Sequence, residues 1–471
     1  MEDLQKKLAD NEILITKEAF DFLSQQLNAE ELVEKIISQP LFKTKIVEIK
    51  DIENLLIEKA VKKIPEIEKK EEIKVEAQIQ KQNFEVRNVD TGFYTGKIED
   101  FVYLFQDRYK KLSKLIEKRL TNILEIEKIK SSVSGREASL IGIVKSKTIG
   151  KNGVILEVED LTESLKVFIP QKSSYFKDAQ TIVNDEVIGV SGKLSGSLFI
   201  ANKIVFPDVE VKAPKKVDKD IEIAFVSDLH VGSKLFYSKN FETFLKDLQN
   251  FEKLKYLIIA GDIVDGIGIY PNQINELTIK DIYKQYDMFF NLLGMVPNDI
   301  HVFVAPGNHD AARRAEPQEF EKDMLKSFSN VTFITNPAYI NIEGLEVLVY
   351  HGTSLDSIIA AIPGLSYLKP EEAMIQLIRK RHLSPIYGTN PIAPIGKDNL
   401  VIEKEPNIVV MGHIHRNAFT NYKGVIVINS GTWQAKTEFQ LKQGHVPTPC
   451  LATIYNIKTS QVNIKNYLNV E

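Results

Sequence analysis

The stretch "HVFVAPGNHD", residues 301–310, decides how the chain is read. "HVFVA" is a short apolar run of strand-favouring residues, and Pro306-Gly307 ends it abruptly. Asn308, His309 and Asp310 follow at once, so three polar side chains sit on the end of a buried strand. Five other segments have the same form: "EIAFVSD" (222–228), "YLIIAGD" (256–262), "LEVLVYHG" (345–352), "NIVVMGH" (407–413) and "VIVINSG" (425–431). Each is almost continuously apolar and ends in Asp, Asn, His or Gly. Strands of that kind belong to sheets covered on both faces. In such sheets ligands gather at the strand ends.

Outward from these strands the chain changes character several times. With 471 residues, two to four domains are expected. A hydrophobic fraction of 43% supports real cores, and a net charge of −4 excludes a protein whose whole surface binds nucleic acid. The single cysteine, Cys450, excludes an internal disulfide and a thiolate zinc site, and fits a reducing, cytoplasmic setting. The N-terminus lacks the apolar segment of a signal peptide, and no stretch is long and apolar enough to span a membrane.

The expected fold class is multidomain α+β. Residues 1–61 read as a small N-terminal helical domain: Thr16 and Asn28 cap amphipathic segments, and "VEIKDIENLLIEKAV" is a third element. Residues 62–95, dense in mixed charge, read as a linker. Residues 96–133 return to a helical period as a connector, with Phe101, Leu104, Leu112 and Leu115 on one face. Five short strand-like runs in residues 134–212 predict a small closed barrel of the OB type, in which Phe168 and Phe199 alternate as core residues. "VEVKAPKKVDKD" (209–220) reads as a charged joint lacking core residues, and residues 216–471 hold the six strands described above.

The polar strand ends make one constellation: Asp228 and His230, Asp262 with Asp265 nearby, Asn308, His309 and Asp310, His351, and His413 with His415. Of eight histidines in the chain, five lie here, which chance placement does not explain. Imidazole, carboxylate and amide oxygen together suit borderline-to-hard divalent ions such as Mn, Fe or Zn. Seven donors exceed one coordination shell and suit two ions sharing a carboxylate. Two ions roughly 3.5–4 Å apart clamp a phosphate and activate water against it. His309 is the one residue of the set then free for proton transfer.

Asp-X-His, Gly-Asp, Gly-Asn-His-Asp, His-Gly and Gly-His-X-His, in this order, resemble the calcineurin-like metallophosphoesterases over roughly residues 220–455. The resemblance implies an α/β/β/α sandwich in which Asp228, His230 and His415 hold one metal. Asn308, His351 and His413 would hold the other, with Asp262 bridging. His309 would protonate the leaving oxygen, with Asp310 orienting its imidazole. "DGIGIYPNQ", "KRHLSPIYGTNPIAP" and "NSGTWQAKTEFQ" narrow the likeness to the small subunits of archaeal family-D DNA polymerases, as does the order helical domain, linker, barrel, phosphoesterase. That family implies a metal-dependent 3′→5′ exonuclease with two divalent ions (Mn foremost, then Fe, Zn or Mg). The implied partners are a large catalytic polymerase subunit and a DNA 3′ end, with a sliding clamp a further one. A scaffold and processivity subunit, or a free-standing phosphoesterase, are the competing readings. Arg313 and Arg314 after the site, and Arg379 and Arg381 in "RKRHLSPIYG" (379–388), are candidate contacts to the nucleic-acid backbone. The only tryptophan, Trp433, is expected to pack near the metal-bearing sheet or against the partner.

Overall fold

The computed structural model describes residues 2–11, 13–24, 29–38, 46–47 and 83–468. The chain divides into two compact units, residues 1–80 and 81–471. In the first, helices Glu2–Asp10, Lys17–Ser24 and Ala29–Ser38 bury Leu8, Leu23, Leu32, Val33 and Ile36 in a small core. The expected third element falls almost wholly outside the described residues.

The second unit holds seventeen strands among the described residues. They are β1 (Phe84–Asn88), β2 (Glu137–Gly150), β3 (Gly153–Glu159), β4 (Ser164–Pro170), β5 (Val187–Ser195), β6 (Leu198–Val205), β7 (Glu222–Val226), β8 (Leu254–Ala260) and β9 (His301–Ala305). They continue as β10 (Val331–Phe333), β11 (Ala338–Ile342), β12 (Leu345–Val349), β13 (Ile408–Met411), β14 (Asn417–Tyr422), β15 (Val425–Ser430), β16 (Leu451–Asn456) and β17 (Val462–Asn466).

Strands β2 to β6 close a five-stranded barrel in the order β2-β3-β4-β6-β5. Its core is set by period-two alternation: Leu165, Val167 and Ile169 of β4 point inward with Phe199 of β6. The same alternation puts Phe168 outward and half-exposed, which corrects its assignment to the core.

The other strands form two six-stranded sheets, β1-β11-β12-β13-β15-β14 and β10-β9-β8-β7-β16-β17. In the first, β12, β13 and β15 are parallel neighbours; in the second, β7, β8 and β9 are. One apolar cluster joins Phe225, Ile258 and Phe303 of one sheet to Val347, Val410 and Ile428 of the other. The opposite faces are covered by helices. Phe241, Phe244 and Phe289, from helices Ser238–Asp247 and Ile282–Leu293, pack on Val226, Ile259 and Val304. Helices Leu355–Ala361 and Pro370–Lys380 pack on Leu348, Val409 and Val427. Six strands buried on both faces explain the continuous apolar runs in the sequence.

Three organisational expectations need correction. Residues 84–88, assigned to the linker, form β1, an edge strand paired antiparallel with β11. Phe84 and Val86 reach the inter-sheet core while Glu85 and Arg87 face outward, so "FEVRN" is an alternating strand within a charged neighbourhood. Helix Ile98–Glu117, read as a connector, is instead bound into the barrel wall: Leu112 and Ile116 pack on Ile141, Val187 and Val205. The joint at 209–220 lies along the sheets, with Val209 buried, Lys212 N–H bonded to the Lys423 carbonyl, and Val217 N–H to that of Ile457. No described helix is long and apolar enough to cross a membrane.

Candidate metal centre

Five of the six strands carry their polar ends to one place. Beyond β7 come Asp228 and His230, beyond β8 Asp262 and Asp265, and beyond β9 Asn308, His309 and Asp310. From the other sheet come His351 after β12, and His413 and His415 after β13. Five of these residues are held at positive φ: Asp228 at 52°, His230 at 53°, Asp262 at 51°, His413 at 68° and His415 at 60°. Non-glycine residues rarely adopt that backbone, and the surrounding fold must hold them there. Two glycines give the room. A Cβ at Gly307 would collide with the Asp262 carboxylate, and one at Gly412 with that of Asp228.

The donors fall into groups with ligand atoms close enough to share an ion: Asp228, His230 and His415, and Asp262, His351 and His413. In the first, His230 Nε2 and His415 Nε2 are 3.0 Å apart, and His415 Nε2 is 3.2 Å from Asp228 Oδ1. In the second, His351 Nε2 is 3.3 Å from Asp262 Oδ2 and 3.0 Å from Asn308 Oδ1. Asp262 Oδ2 also lies 3.8 Å from His230 Nε2, so this carboxylate faces both groups. All seven expected donors are brought together. A third grouping, His230, Asp262 and His309, also lies within reach of one ion.

Behind the donors stands a ring of residues that sequence reading noted only in passing or missed. His230 Nδ1 is held by Asp265 Oδ1 at 3.1 Å, His351 Nδ1 by the Ala260 carbonyl at 2.9 Å and His413 Nε2 by Asp356 Oδ2 at 3.0 Å. The Gln440 amide sits 2.7 Å from His415 Nδ1. Each contact occupies one ring nitrogen and leaves the other directed at the cluster. Asp356 and Gln440 lie on helical segments away from the strand ends, where no strand-end pattern points to them.

Asp310 does not hold His309. Its carboxylate accepts N–H bonds from Gly307 at 2.7 Å, Ile263 at 3.1 Å and Val264 at 3.2 Å. It therefore ties the loop after β9 to the loop after β8, while His309 Nδ1 donates to the Asp265 carbonyl at 2.7 Å. His309 N–H in turn donates to Asp262 Oδ1 at 2.8 Å. The orienting role expected of Asp310 thus belongs to the backbone of Asp265.

The electrostatics suit cations. Burial works against a proton on His230, yet Asp265, Asp262 and Asp228 raise it to about 9. His351 is raised to about 10 against burial, chiefly by Asp262. Burial favours protonated Asp228 and Asp262 too, but the imidazoles hold both below the usual carboxylate range. A buried field that attracts protons this strongly fits the charge of divalent ions, and the carboxylate, imidazole and amide set matches their chemistry. Burial lowers His309, which favours its neutral form.

The expected basic contacts divide. Arg314, four residues after Asp310 in the chain, is exposed. Arg313 is not free: its guanidinium donates to the carbonyls of Ala315, Pro317 and Gly92. Arg379 pairs with Asp178 at 2.7 Å and stacks on Phe206, and Arg381, 2% exposed, donates to the Ile402 and Glu403 carbonyls and pairs with Glu405. The run 379–382 fastens the barrel and the sheets together, which corrects the reading of it as a nucleic-acid surface. Trp433 is fully buried among Phe241, Phe244 and Tyr467, and its backbone N–H bonds the Asp228 carbonyl.

Comparison with known proteins gives the same direction. Residues 223–421 match the family of the B-type subunits of DNA polymerases alpha and epsilon. The "DNA polymerase II small subunit" of Archaeoglobus fulgidus is 43% identical over 387 residues, covering 79% of this chain and 78% of that protein. This chain belongs to the archaeal DNA polymerase II small subunits. Members from Pyrococcus horikoshii and Pyrococcus furiosus are 40% and 41% identical over 78% of the chain, which spans 62% and 63% of their length. The family is that of the archaeal family-D small subunits to which the motifs pointed.

Proposed function

We propose that this chain is the proofreading subunit of a family-D DNA polymerase, a two-metal 3′→5′ exonuclease acting beside a large catalytic polymerase subunit. In this reading residues 216–471 are a calcineurin-like phosphoesterase and residues 134–212 an OB-type barrel. The carrying observation is that two buried donor groups face the same carboxylate, Asp262. Asp228, His230 and His415 would hold one ion, Asn308, His351 and His413 the other, and Asp262 both. Two divalent ions, Mn the foremost candidate, would supply Lewis acidity toward the scissile phosphate and a nucleophilic water. The protein orients its imidazoles through Asp265, Ala260, Asp356 and Gln440. His309, facing the cluster with Nδ1 fixed, would place Nε2 against the leaving 3′ oxygen. The negative charge of a bound phosphate favours its protonated form. Arg314 remains the candidate for a backbone phosphate.

The test is degradation of single strands labelled at the 3′ or the 5′ end, with Mn, Mg or Zn, by the full chain alone and with its large subunit. Early release of the 3′ label in a metal-dependent reaction is expected. Release of the 5′ label first, or chelator-insensitive cleavage, contradicts the proposal.

A further inference from the structure

The metal groups line a cavity of about 440 Å³, and its lining also carries aromatic rings that are not among the metal donors, Tyr367 and His445 among them. Tyr367 and His445 stack there, with ring centroids 3.9 Å apart and planes at 27°. They come from distant loops, one between helices Leu355–Ala361 and Pro370–Lys380, the other following helix Glu438–Gln443. Arg416 joins the loops: its Nε donates to the Leu368 carbonyl at 2.8 Å and its Nη1 to the Val446 carbonyl at 3.0 Å. Both loops are also anchored to candidate ligands. Gln440, on the His445 segment, contacts His415. Tyr367 lies against Asp356, which holds His413, and burial together with that carboxylate raises the tyrosine to about 12. A stacked pair fixed this firmly in the lining of the metal-bearing cavity is a preformed platform.

The geometry points to the Tyr367–His445 pair as the wall on which the 3′-terminal nucleobase stacks while its 5′ phosphate lies on the metal groups. This rests on the exonuclease reading above and names its nucleotide subsite. Every base has a π face, so the wall accepts any of the four bases, as a proofreading site requires. A terminal base still paired in a duplex is held by its partner strand and must be unpaired and unstacked before it can swing onto the wall, so the wall favours an unpaired end.

The test uses the full chain with Mn and oligo-dT strands ending in thymine, in an abasic residue, or in 2-aminopurine behind a cleavage-resistant last linkage. His445→Ala is expected to raise KM for the thymine end by about 5- to 150-fold, the range of one lost base stack, and to relieve 2-aminopurine quenching. Abasic ends should be cleaved as by the wild type. His445→Phe and Tyr367→Phe, which keep the rings, should retain quenching. Equal effects of His445→Ala on thymine and abasic ends, or no effect on either, would overturn the wall. If the wild type cleaves no strand, the exonuclease reading fails by itself. Quenching then still decides the wall: loss in His445→Ala supports it, and persistence in that variant, or no quenching by the wild type, sinks it.

Discussion

His309 and Asp310 are neighbours in sequence with separate tasks. His309 faces the donors with its Nδ1 fixed on the Asp265 carbonyl, whereas Asp310 faces away and accepts three backbone N–H groups. His309→Ala should therefore leave metal content unchanged and lower the exonuclease rate by about 10²–10⁴-fold, the usual worth of a general acid. Asn308→Ala and Asp262→Ala should lose metal, Asp262→Ala the more, with rate and stoichiometry falling together. A metal-depleted His309→Ala protein would make His309 a ligand. Asp310→Asn places an amide where one acceptor group met three donors, so melting temperature and metal content should drop together. Unchanged melting with slow turnover would restore an orienting role for Asp310. Gly412→Ala, by crowding Asp228, should deplete the ion shared by Asp228, His230 and His415 in metal analysis of the folded protein. The donors were legible in the sequence because each follows an apolar run. Asp356, Gln440 and the Asp265 carbonyl were not, because holding an imidazole depends on direction in space and leaves no periodic trace.

The run 379–382 shows how elements can mislead. "RKRH" reads as a solvent-facing basic surface, yet the turn ending helix Pro370–Lys380 buries Lys380, Arg381 and His382. Lys380 pairs with Glu186 of the barrel at 2.8 Å. His382 Nε2 donates to Asp398 Oδ2 at 2.9 Å, and its Nδ1 accepts the Ser384 N–H at 3.0 Å. Arg108, from the long helix beside the barrel, meets the same Asp398 oxygen at 2.6 Å. Local sequence cannot distinguish a charge awaiting a ligand from one whose counter-charge lies about 200 residues away, as Lys380 and Glu186 do. Burial, reinforced by the Arg108 cation, lowers His382 to about 4. Unfolded, an imidazole gains its proton near pH 6.5. Between these values the unfolded chain binds more protons, so stability falls as pH falls from about 6.5 to about 4, by about 3 kcal/mol at most, and no further below. Urea unfolding across that range should show this slope, and His382→Gln should flatten it. A slope unchanged in His382→Gln assigns the effect to other groups.

At the scale of the molecule, the boundary that matters lies near residue 81. A start near Ser131, just before the barrel expected from residue 134, is one the sequence leads one to expect to fold, but it cuts away β1 and Arg108, which are bound into the sheets. A chain starting at Lys81 should fold, melt as the full chain does and keep its metals. A chain starting at Ser131 loses β1 and Arg108. It exposes the β11 edge and leaves Asp398 buried without its guanidinium, a loss of about 3–5 kcal/mol for breaking such a pair. It should be insoluble or melt far lower, and equal melting of the two truncations would refute this account. The barrel was readable as five local strands. The place of β1 was not, because its partner is β11, far along the chain.

That pairing also orders events at the ribosome. β1 emerges before the whole barrel, but β11 is translated only about 250 residues later. At about 5–20 residues per second the interval is roughly 12–50 s. The barrel, contiguous from residue 137 to 205, can close during this wait, while "FEVRN" is tethered upstream with its hydrogen-bonding edge open. Nascent chains stalled near residue 300 should therefore protect the barrel from protease yet remain cleavable at 84–88, and protection of that segment should arrive only once β11 and β12 have cleared the exit tunnel.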